Sequence, residues 1–338
     1  MVSKYHSLYN EAHTLLNHLD STDLQWKLHL LSGERFENKV QLNWPFKYKY
    51  NYGLAIWPKI LGSAINGTLC IYNFGSQSNI VLWNPVTEEL NIVPENEARF
   101  SDEHEFSYTI HGFGYDHVSD DYKIIQHVVY SGVFKEYWQQ VPPGPYWDIY
   151  SLRSNSWKKL YVDMHTRCNS SIGVYLNGMC HWWWVQSCRS TISESTVRET
   201  YVVSFNLSNE LPVTTLLPDD VHGLECTDRE LAVLNGHVAM ISKYVKTTSF
   251  HISISILGEP SVKESWIKLF DVESMSCIDH PIGAGKEGHI FFKINDDELA
   301  CLDLTTGIIE NIGVKAKKWC AQIVIYKKST LPIKGTNK

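Results

Sequence analysis

The sequence YLNGMCHW, residues 175–182, places an Asn-Gly pair between two apolar runs. The same arrangement occurs in AINGTLC, residues 64–70, and in VLNGHVA, residues 233–239. Asn-Gly between apolar runs is the strongest short-range signal for a two-residue β-hairpin turn, because both turn residues need a positive φ angle. The chain is therefore predicted to contain three related hairpins.

A second sequence element accompanies each hairpin. It consists of an apolar strand, a polar turn and a strand whose large side chain lies seven positions on, as from Trp83 to Leu90 and from Tyr150 to Trp157. Together the two elements make a four-stranded antiparallel unit, and a repeat near 50 residues is typical of propeller blades. We count five units, at about residues 60–95, 107–162, 170–218, 229–272 and 281–314.

Strand-like segments near both chain ends lie outside these units, at residues 24–31 with 39–42 and at 320–326. Strands from the two ends can share a closing blade, which removes the exposed edges of an open sheet. We predict an all-β fold, a β-propeller of about six four-stranded blades closed by strands from both chain ends. An open β-sandwich or barrel is the alternative fold. The leucine spacing over residues 8–19 fits a short helix or a strand.

The overall composition bounds the function classes. The 338 residues are 43% hydrophobic and carry a net charge of −7, so a packed core is expected and nucleic acid is not a predicted partner. The basic residues near the C-terminus, from Lys315 to Lys328, are interpreted as a solvated surface. No apolar run has the length of a membrane span or a signal peptide, so no membrane association is predicted. The eight cysteines include no Cys-x-x-Cys pair, which favours free thiols in the cytoplasm or nucleus.

Strings of residues that suggest chemistry lack the structural context that the chemistry needs. GAGKEG, residues 283–288, matches a dinucleotide-binding string, but an apparent strand follows it instead of a helix, and His280-Pro281 before it indicates a loop. Cys180 and His181 are adjacent, which does not fit zinc-ligand spacing. The acidic pairs 120–121, 219–220 and 296–297 are interpreted as turn residues. We therefore predict no catalytic residue, no cofactor and no metal site.

Two insertions interrupt the repeats, at residues 131–146 and 186–199. Loops on a rigid scaffold often carry function, and aromatic and arginine side chains are common interface anchors. The first insertion and the strand after it are therefore predicted to contact a target protein. The predicted contact residues are Phe134, Tyr137, Trp138, Tyr146 and Trp147.

The order of motifs from about residue 24 to residue 331 resembles a known family. The motifs include LLSGERF, LWNPVTEEL, GFGYDHVSDDYKII, IYSLRSNSWKKL, VYLNGMCHWW and IVIYKKSTL. Eight or more motifs in this order resemble the F-box-associated domain of plant F-box proteins, which include the kelch-repeat and pollen S-locus types. The resemblance implies a non-catalytic module that presents a target, not identified by the sequence, for ubiquitin transfer by an SCF-type ligase.

The resemblance also sets an expectation for the N-terminus. In the family an F-box of roughly 40 residues precedes the propeller and docks on the Skp adaptor and its cullin. Residues 2–9 resemble only the end of that motif, so residues 1–10 are expected to be its remnant, 11–331 the propeller domain and 332–338 a disordered tail. Adaptor binding is then expected only with an upstream F-box. An F-box-less decoy or adaptor and, less in keeping with the residues, a propeller-fold enzyme are the alternative functions.

Overall fold

The structure is a computed structural model. It describes residues 12–45, 57–74, 80–96, 106–130, 144–166, 173–189, 196–218, 224–246, 249–273 and 278–333. Over these residues the regular structure consists of β-strands and three one-turn 3₁₀ helices. No helix among them has the length and apolarity that crossing a membrane requires.

The strands follow one another in chain order with short connections. They are β1 (Ala12–Asp20), β2 (Trp26–Ser32), β3 (Asn38–Leu42), β4 (Trp57–Ile65), β5 (Thr68–Phe74), β6 (Val81–Trp83), β7 (Leu90–Ile92), β8 (Phe106–Asp116), β9 (Asp121–Tyr130), β10 (Tyr146–Ser151), β11 (Ser156–Leu160), β12 (Val174–Leu176), β13 (Met179–Arg189), β14 (Thr196–Asn206), β15 (Leu211–Leu216), β16 (Glu225–Leu234), β17 (His237–Lys246), β18 (Ser249–Leu257), β19 (Trp266–Glu273), β20 (Ile278–Ala284), β21 (His289–Ile294), β22 (Glu298–Asp303) and β23 (Ile309–Lys327).

These strands form antiparallel sheets that correspond to the predicted repeat units. Strands β4–β7, β8–β11, β12–β15 and β16–β19 make four separate four-stranded sheets, each with its strands in sequence order. The prediction of an all-β propeller is confirmed. The segment whose leucine spacing left helix and strand open is strand β1 over its described part.

The other seven strands form a single sheet in the order β20-β21-β22-β23-β1-β2-β3. The prediction of about six separate four-stranded blades was therefore wrong in number, since the described residues form four such sheets and this larger one. The reason is the 19-residue strand β23. Its first part, residues 309–315, pairs with β22, and residues 316–327 pair with β1. Closure by strands from both chain ends occurs at this β1–β23 pair.

The innermost strands surround a central axis. They are β4, β8, β12, β16, β20 and the second part of β23, and each contacts the next around the ring, with β23 returning to β4. Only a small cavity of about 30 Å³ lies along the axis, lined by residues such as Gly62, Val174, Ala232, Gly283 and Ile323. The axis is therefore packed over most of its length, and apolar clusters fill the spaces between neighbouring sheets.

The three Asn-Gly turns have the geometry that their sequence predicts. Asn66, Asn177 and Asn235 have φ angles of 50°, 51° and 49°, and the glycine after each has a φ of 79°. Positive φ at both positions is the requirement of a type I′ hairpin turn. The turns join β4 to β5, β12 to β13 and β16 to β17, so all three lie where an innermost strand meets its neighbour.

Candidate functional site

The innermost strands all begin at one end of the axis, where a pocket opens. This pocket, of about 90 Å³, is called the axial mouth below. Its lining comes from five sheet positions far apart in the chain, because the first residues of β4, β16, β20 and the second part of β23 converge there. The lining residues are Lys59, Trp183, Thr227, Asp228, Arg229, Glu230, His280, Pro281, Ile282, Trp319, Ala321 and Gln322.

An exposed tryptophan marks the rim of the axial mouth. Trp319 is 45% exposed, and its ring stacks on the ring of His280 with centroids 4.2 Å apart and an angle of 25° between the planes. Its φ angle of 61° lies in the left-handed region, which is costly for a bulky residue. Lys59 Nζ donates to the Trp319 carbonyl at 3.4 Å. A tryptophan kept exposed in a strained conformation is a candidate functional residue.

A second tryptophan and an arginine form one wall of the pocket. Trp183 is only 7% exposed, and its indole N–H has no hydrogen-bond partner among the described residues. Arg229 donates from Nη1 to the hydroxyl of Thr200 at 3.0 Å. This wall lies between the sheets β12–β15 and β16–β19, and it brings hydrogen-bond donors to the pocket.

Charged groups surround the opposite wall. Lys243 Nζ lies 4.0 Å from Asp228 and donates to the backbone carbonyl of Asp279. Asp279 also pairs with Lys293 at 3.3 Å and with Lys318 at 3.2 Å. Burial raises the pKa of Asp228 and lowers the pKa of Lys243, since each loses hydration in its charged form. The carboxylates on this side are thus held by lysines.

The neutral state of His280 follows from its position beneath Trp319. His280 is 3% exposed, and burial lowers the pKa of its imidazole to about 4 although Asp279 opposes the change. At neutral pH the ring that supports Trp319 is therefore uncharged. The stack is an apolar platform beside a charged pocket, an arrangement suited to binding a side chain that has both an apolar stem and a polar end.

The residues predicted to contact a target have different locations. Phe134, Tyr137 and Trp138 lie outside the described residues. Tyr146 is half-buried, with Lys159 Nζ 4.6 Å from its ring centroid. Trp147 is 4% exposed.

The position of Trp147 corrects one prediction. Its ring centroid lies 4.6 Å from that of His111 and 5.8 Å from that of Trp182, inside an apolar cluster between two sheets. The sequence suggested a surface residue because Trp147 follows a loop-like segment, but the strand alternation at β10 turns its side chain inward. Trp147 is a core residue, and it is removed from the candidate contact set.

The strands that flank the predicted aromatic segment end on the same face as the axial mouth. The antiparallel register places Phe106, at the start of innermost strand β8, opposite Tyr130, at the end of β9. Tyr146, at the start of β10, pairs with Val128 of the same end. The segment between residues 130 and 146 is therefore attached to the mouth face. Sequence reasoning found this segment but missed Trp183, His280 and Trp319, which lie more than 90 residues apart in part and meet only through ring closure.

The chemical strings considered in the sequence occupy structural positions. GAGKEG begins in β20 and is followed by strand β21, as predicted, but His280 and Pro281 before it belong to β20 and not to a loop. His181 is buried and hydrogen-bonds to Ser204 at 2.8 Å. Asp121 accepts from Ser151 and from the Arg153 backbone. In the described ranges no group of three His, Cys, Asp or Glu side chains is placed to hold a metal ion.

Comparison with known proteins gives the family. The sequence pattern of the F-box associated beta propeller domain matches residues 64–331. The chain belongs to this family. The match begins in the first Asn-Gly hairpin and ends just beyond strand β23, so this F-box associated domain includes all of the innermost strands that form the axial mouth apart from the start of β4.

Individual relatives of this F-box associated domain are distant in sequence. It is 23% identical over 289 residues to "F-box protein CPR1" of Arabidopsis thaliana, with 79% of this chain and 67% of that protein covered. It is 23% identical over 328 residues to "F-box protein At4g22390" of the same plant, with 90% and 78% covered. A solved structure of a DUF4784 family protein from Bacteroides caccae covers 93% of this chain and 73% of its own, at 11% identity and a TM-score of 0.42.

Proposed function

We propose that this F-box associated domain is a non-catalytic target-recognition module of an SCF-type ubiquitin ligase, and that it contacts its target through the face around the axial mouth. The observation that carries the proposal is Trp319, which is 45% exposed on a buried, uncharged His280 beside a polar pocket. Large aromatic side chains next to pockets are the usual energetic centres of protein interfaces.

The family supports the ligase part of the proposal. The relatives are F-box proteins by name. In this proposal the Skp adaptor and the cullin would join through an F-box, and ubiquitin transfer would take place on other subunits. The target is a protein, and the module works in the cytoplasm or nucleus. Phe134, Tyr137, Trp138 and Tyr146 remain predicted contacts, because the strands that flank them end on the mouth face.

The test compares two single variants of the tagged chain, expressed in the cells from which it comes. Trp319→Ala removes the exposed ring at the mouth. Leu211→Ala is the matched control, because Leu211 is 56% exposed at the start of β15, opposite Asn206 and at the other end of the sheets. Bound proteins are quantified after cross-linking, and the half-life of each is measured with and without the chain and with and without proteasome inhibition.

We expect at least one protein to be captured by the wild-type chain and by Leu211→Ala but not by Trp319→Ala. Its half-life should shorten when the chain is supplied and recover when the proteasome is inhibited. If capture is the same for both variants, the mouth is not the binding face. If captured proteins depend on Trp319 but keep the same half-life, the domain binds targets without directing them to degradation, and the ligase function is wrong.

A further inference from the structure

We infer that the axial mouth selects a carboxylate side chain, an aspartate or glutamate presented by a loop of the target protein. This inference rests on the proposed function and names the chemistry that the mouth recognises. It follows from the charges around the pocket, from the donors in its wall and from its size.

The charges around the axial mouth differ from those of the whole chain. The chain has a net charge of −7, yet cations outnumber carboxylates among the pocket-lining residues and their ion-pair partners. The cations are Lys59, Arg229, Lys243, Lys293, Lys317 and Lys318, and the carboxylates are Asp228, Glu230, Asp279 and Asp297. An excess of positive charge at the mouth of an acidic protein is complementary to an acidic ligand and repels a basic one.

The carboxylates near the mouth are already engaged. Asp279 pairs with Lys293 and Lys318, and Asp297 pairs with Lys293 at 3.2 Å and with Lys317 at 3.6 Å. Asp228 lies beside Lys243. An incoming lysine or arginine would have to compete with these lysines for the same oxygens. An incoming carboxylate instead joins an existing network as a further acceptor.

The wall formed by Trp183 and Arg229 supplies the donors. A guanidinium presents five N–H groups in a planar fork that suits a carboxylate, which is more than the contact of Arg229 with Thr200 uses. The Trp183 indole N–H is covered and has no hydrogen-bond partner among the residues described, a state that costs about 1–3 kcal/mol for a buried donor. A small shift of the pocket side chains on binding would bring it an acceptor.

The size of the pocket limits the occupant. A volume of about 90 Å³ equals roughly three water volumes, enough for a carboxylate with its methylene groups. The stem of such a side chain would pass the ring of Trp319 at the rim. An aromatic side chain would not enter, and an asparagine or glutamine would satisfy the donors without meeting the charge excess.

The inference is tested with the whole chain and with blocked single amino acids. The chain carries ¹⁵N in its tryptophan indoles, and the signals of Trp183 and Trp319 are assigned with Trp183→Phe and Trp319→Phe. N-acetyl-glutamate N-methylamide is then titrated in parallel with the corresponding blocked glutamine and blocked lysine. The titration with blocked glutamate is repeated at high salt and with Arg229→Gln.

We expect blocked glutamate to shift both indole signals in a saturable way. The apparent affinity should fall about fivefold or more with Arg229→Gln and also fall at high salt, while blocked lysine should leave the signals in place. Equal shifts with blocked glutamine, a response to blocked lysine, or no response to glutamate would each overturn the inference.

The outcome separates this inference from the proposed function. If target capture depends on Trp319 while blocked glutamate gives no shift, the mouth face binds targets and its carboxylate selectivity is wrong. If blocked glutamate binds while no protein depends on Trp319 for capture, the mouth has the inferred chemistry and the proposed function fails.

Discussion

The carboxamide of Gln322 pairs with the backbone of Ile60 at both of its polar atoms. The Ile60 N–H donates to Oε1 at 3.1 Å, and Nε2 donates to the Ile60 carbonyl. Gln322 lies in the second part of β23 and Ile60 lies in β4, so the contact joins the last innermost strand to the first of the four separate sheets. The two residues are 262 positions apart, and their pairing contributes to ring closure.

This pairing predicts a stability loss for Gln322→Met. The variant keeps the side-chain volume but leaves two buried backbone groups of Ile60 without partners, which should lower the free energy of unfolding by about 2–4 kcal/mol. Gln41→Met is the control, since Gln41 is exposed on β3 and its replacement should change little. Urea denaturation followed by tryptophan fluorescence measures both. A Gln322→Met variant as stable as Gln41→Met would show that the amide pairing is not needed for closure.

The segment after β23 predicts a contrast between two neighbouring apolar residues. Asn84 Nδ2 donates to the carbonyls of Ser329 at 3.0 Å and Leu331 at 3.1 Å, which holds this segment against the sheet β4–β7. Ile333 is 2% exposed in the adjoining core, whereas Leu331 is 56% exposed. Ile333→Ala should cost about 2–4 kcal/mol and Leu331→Ala less than about 0.5 kcal/mol. Thermal unfolding of the two variants decides the matter, and similar melting temperatures would argue against docking of the segment.

A buried ion pair between two sheets gives a third prediction. Lys123 Nζ lies 2.9 Å from Asp116 and also donates to the Leu207 carbonyl at 2.8 Å. Burial alone would raise the pKa of Asp116, but hydrogen bonds from Ser119, Ser208 and Lys123 outweigh it and hold that pKa well below its usual range. Lys123→Met leaves a buried carboxylate uncompensated and should cost about 3–5 kcal/mol.

The control for this pair is another lysine of the same sheet. Lys158 pairs with Glu210 at 2.7 Å but is 67% exposed, so Lys158→Met should cost at most about 1 kcal/mol. Both variants are measured by urea denaturation at neutral pH. If the two losses are equal, the Asp116–Lys123 pair contributes no more than a surface ion pair.

Three buried histidines predict acid sensitivity. Burial lowers the pKa of His18, His181 and His280 to about 4 from an ordinary value of 6.5. Between these pH values the unfolded chain binds protons that the folded protein does not, so stability falls as the pH falls from about 6.5 towards 4. Each histidine contributes at most about 3 kcal/mol to this loss.

The measurement is the free energy of unfolding as a function of pH. His18 is fully buried and its ring nitrogens have no hydrogen-bond partner among the described residues, so His18→Leu should flatten the curve below pH 6.5. His237→Leu at an exposed position is the control and should leave the slope as it is. An unchanged slope in His18→Leu would show that His18 is protonated in the folded protein.

Much of the local structure was predictable because it depends on neighbours in sequence. The pair Asn177-Gly178 can meet the positive φ of a hairpin turn in any context, and the seven-residue spacing from Tyr150 to Trp157 describes a single strand pair, which the structure contains. The number of separate sheets was not predictable in this way. Whether residues 309–327 break between sheets or continue as one strand depends on how β22 and β1 pair with them.

The candidate site shows the same division more sharply. Trp147 was predicted at the surface from the polar and proline-rich segment before it, but its burial depends on the neighbouring sheet that supplies His111 and Trp182. Trp319 stands among lysines, and nothing in the local sequence indicates that His280 will support its ring. That contact requires the second part of β23 to lie beside β20.

The sequence by itself determined the strands, the Asn-Gly turns, the repeat and the membership of the F-box associated domain family, because these follow from short-range periodicity and the order of motifs. The tertiary structure alone decided that four sheets stay separate while seven strands merge, and that Trp183, Arg229, His280 and Trp319 share one pocket. The physical reason is ring closure. Residues at the start of each innermost strand are neighbours in space only after every sheet has packed on the next.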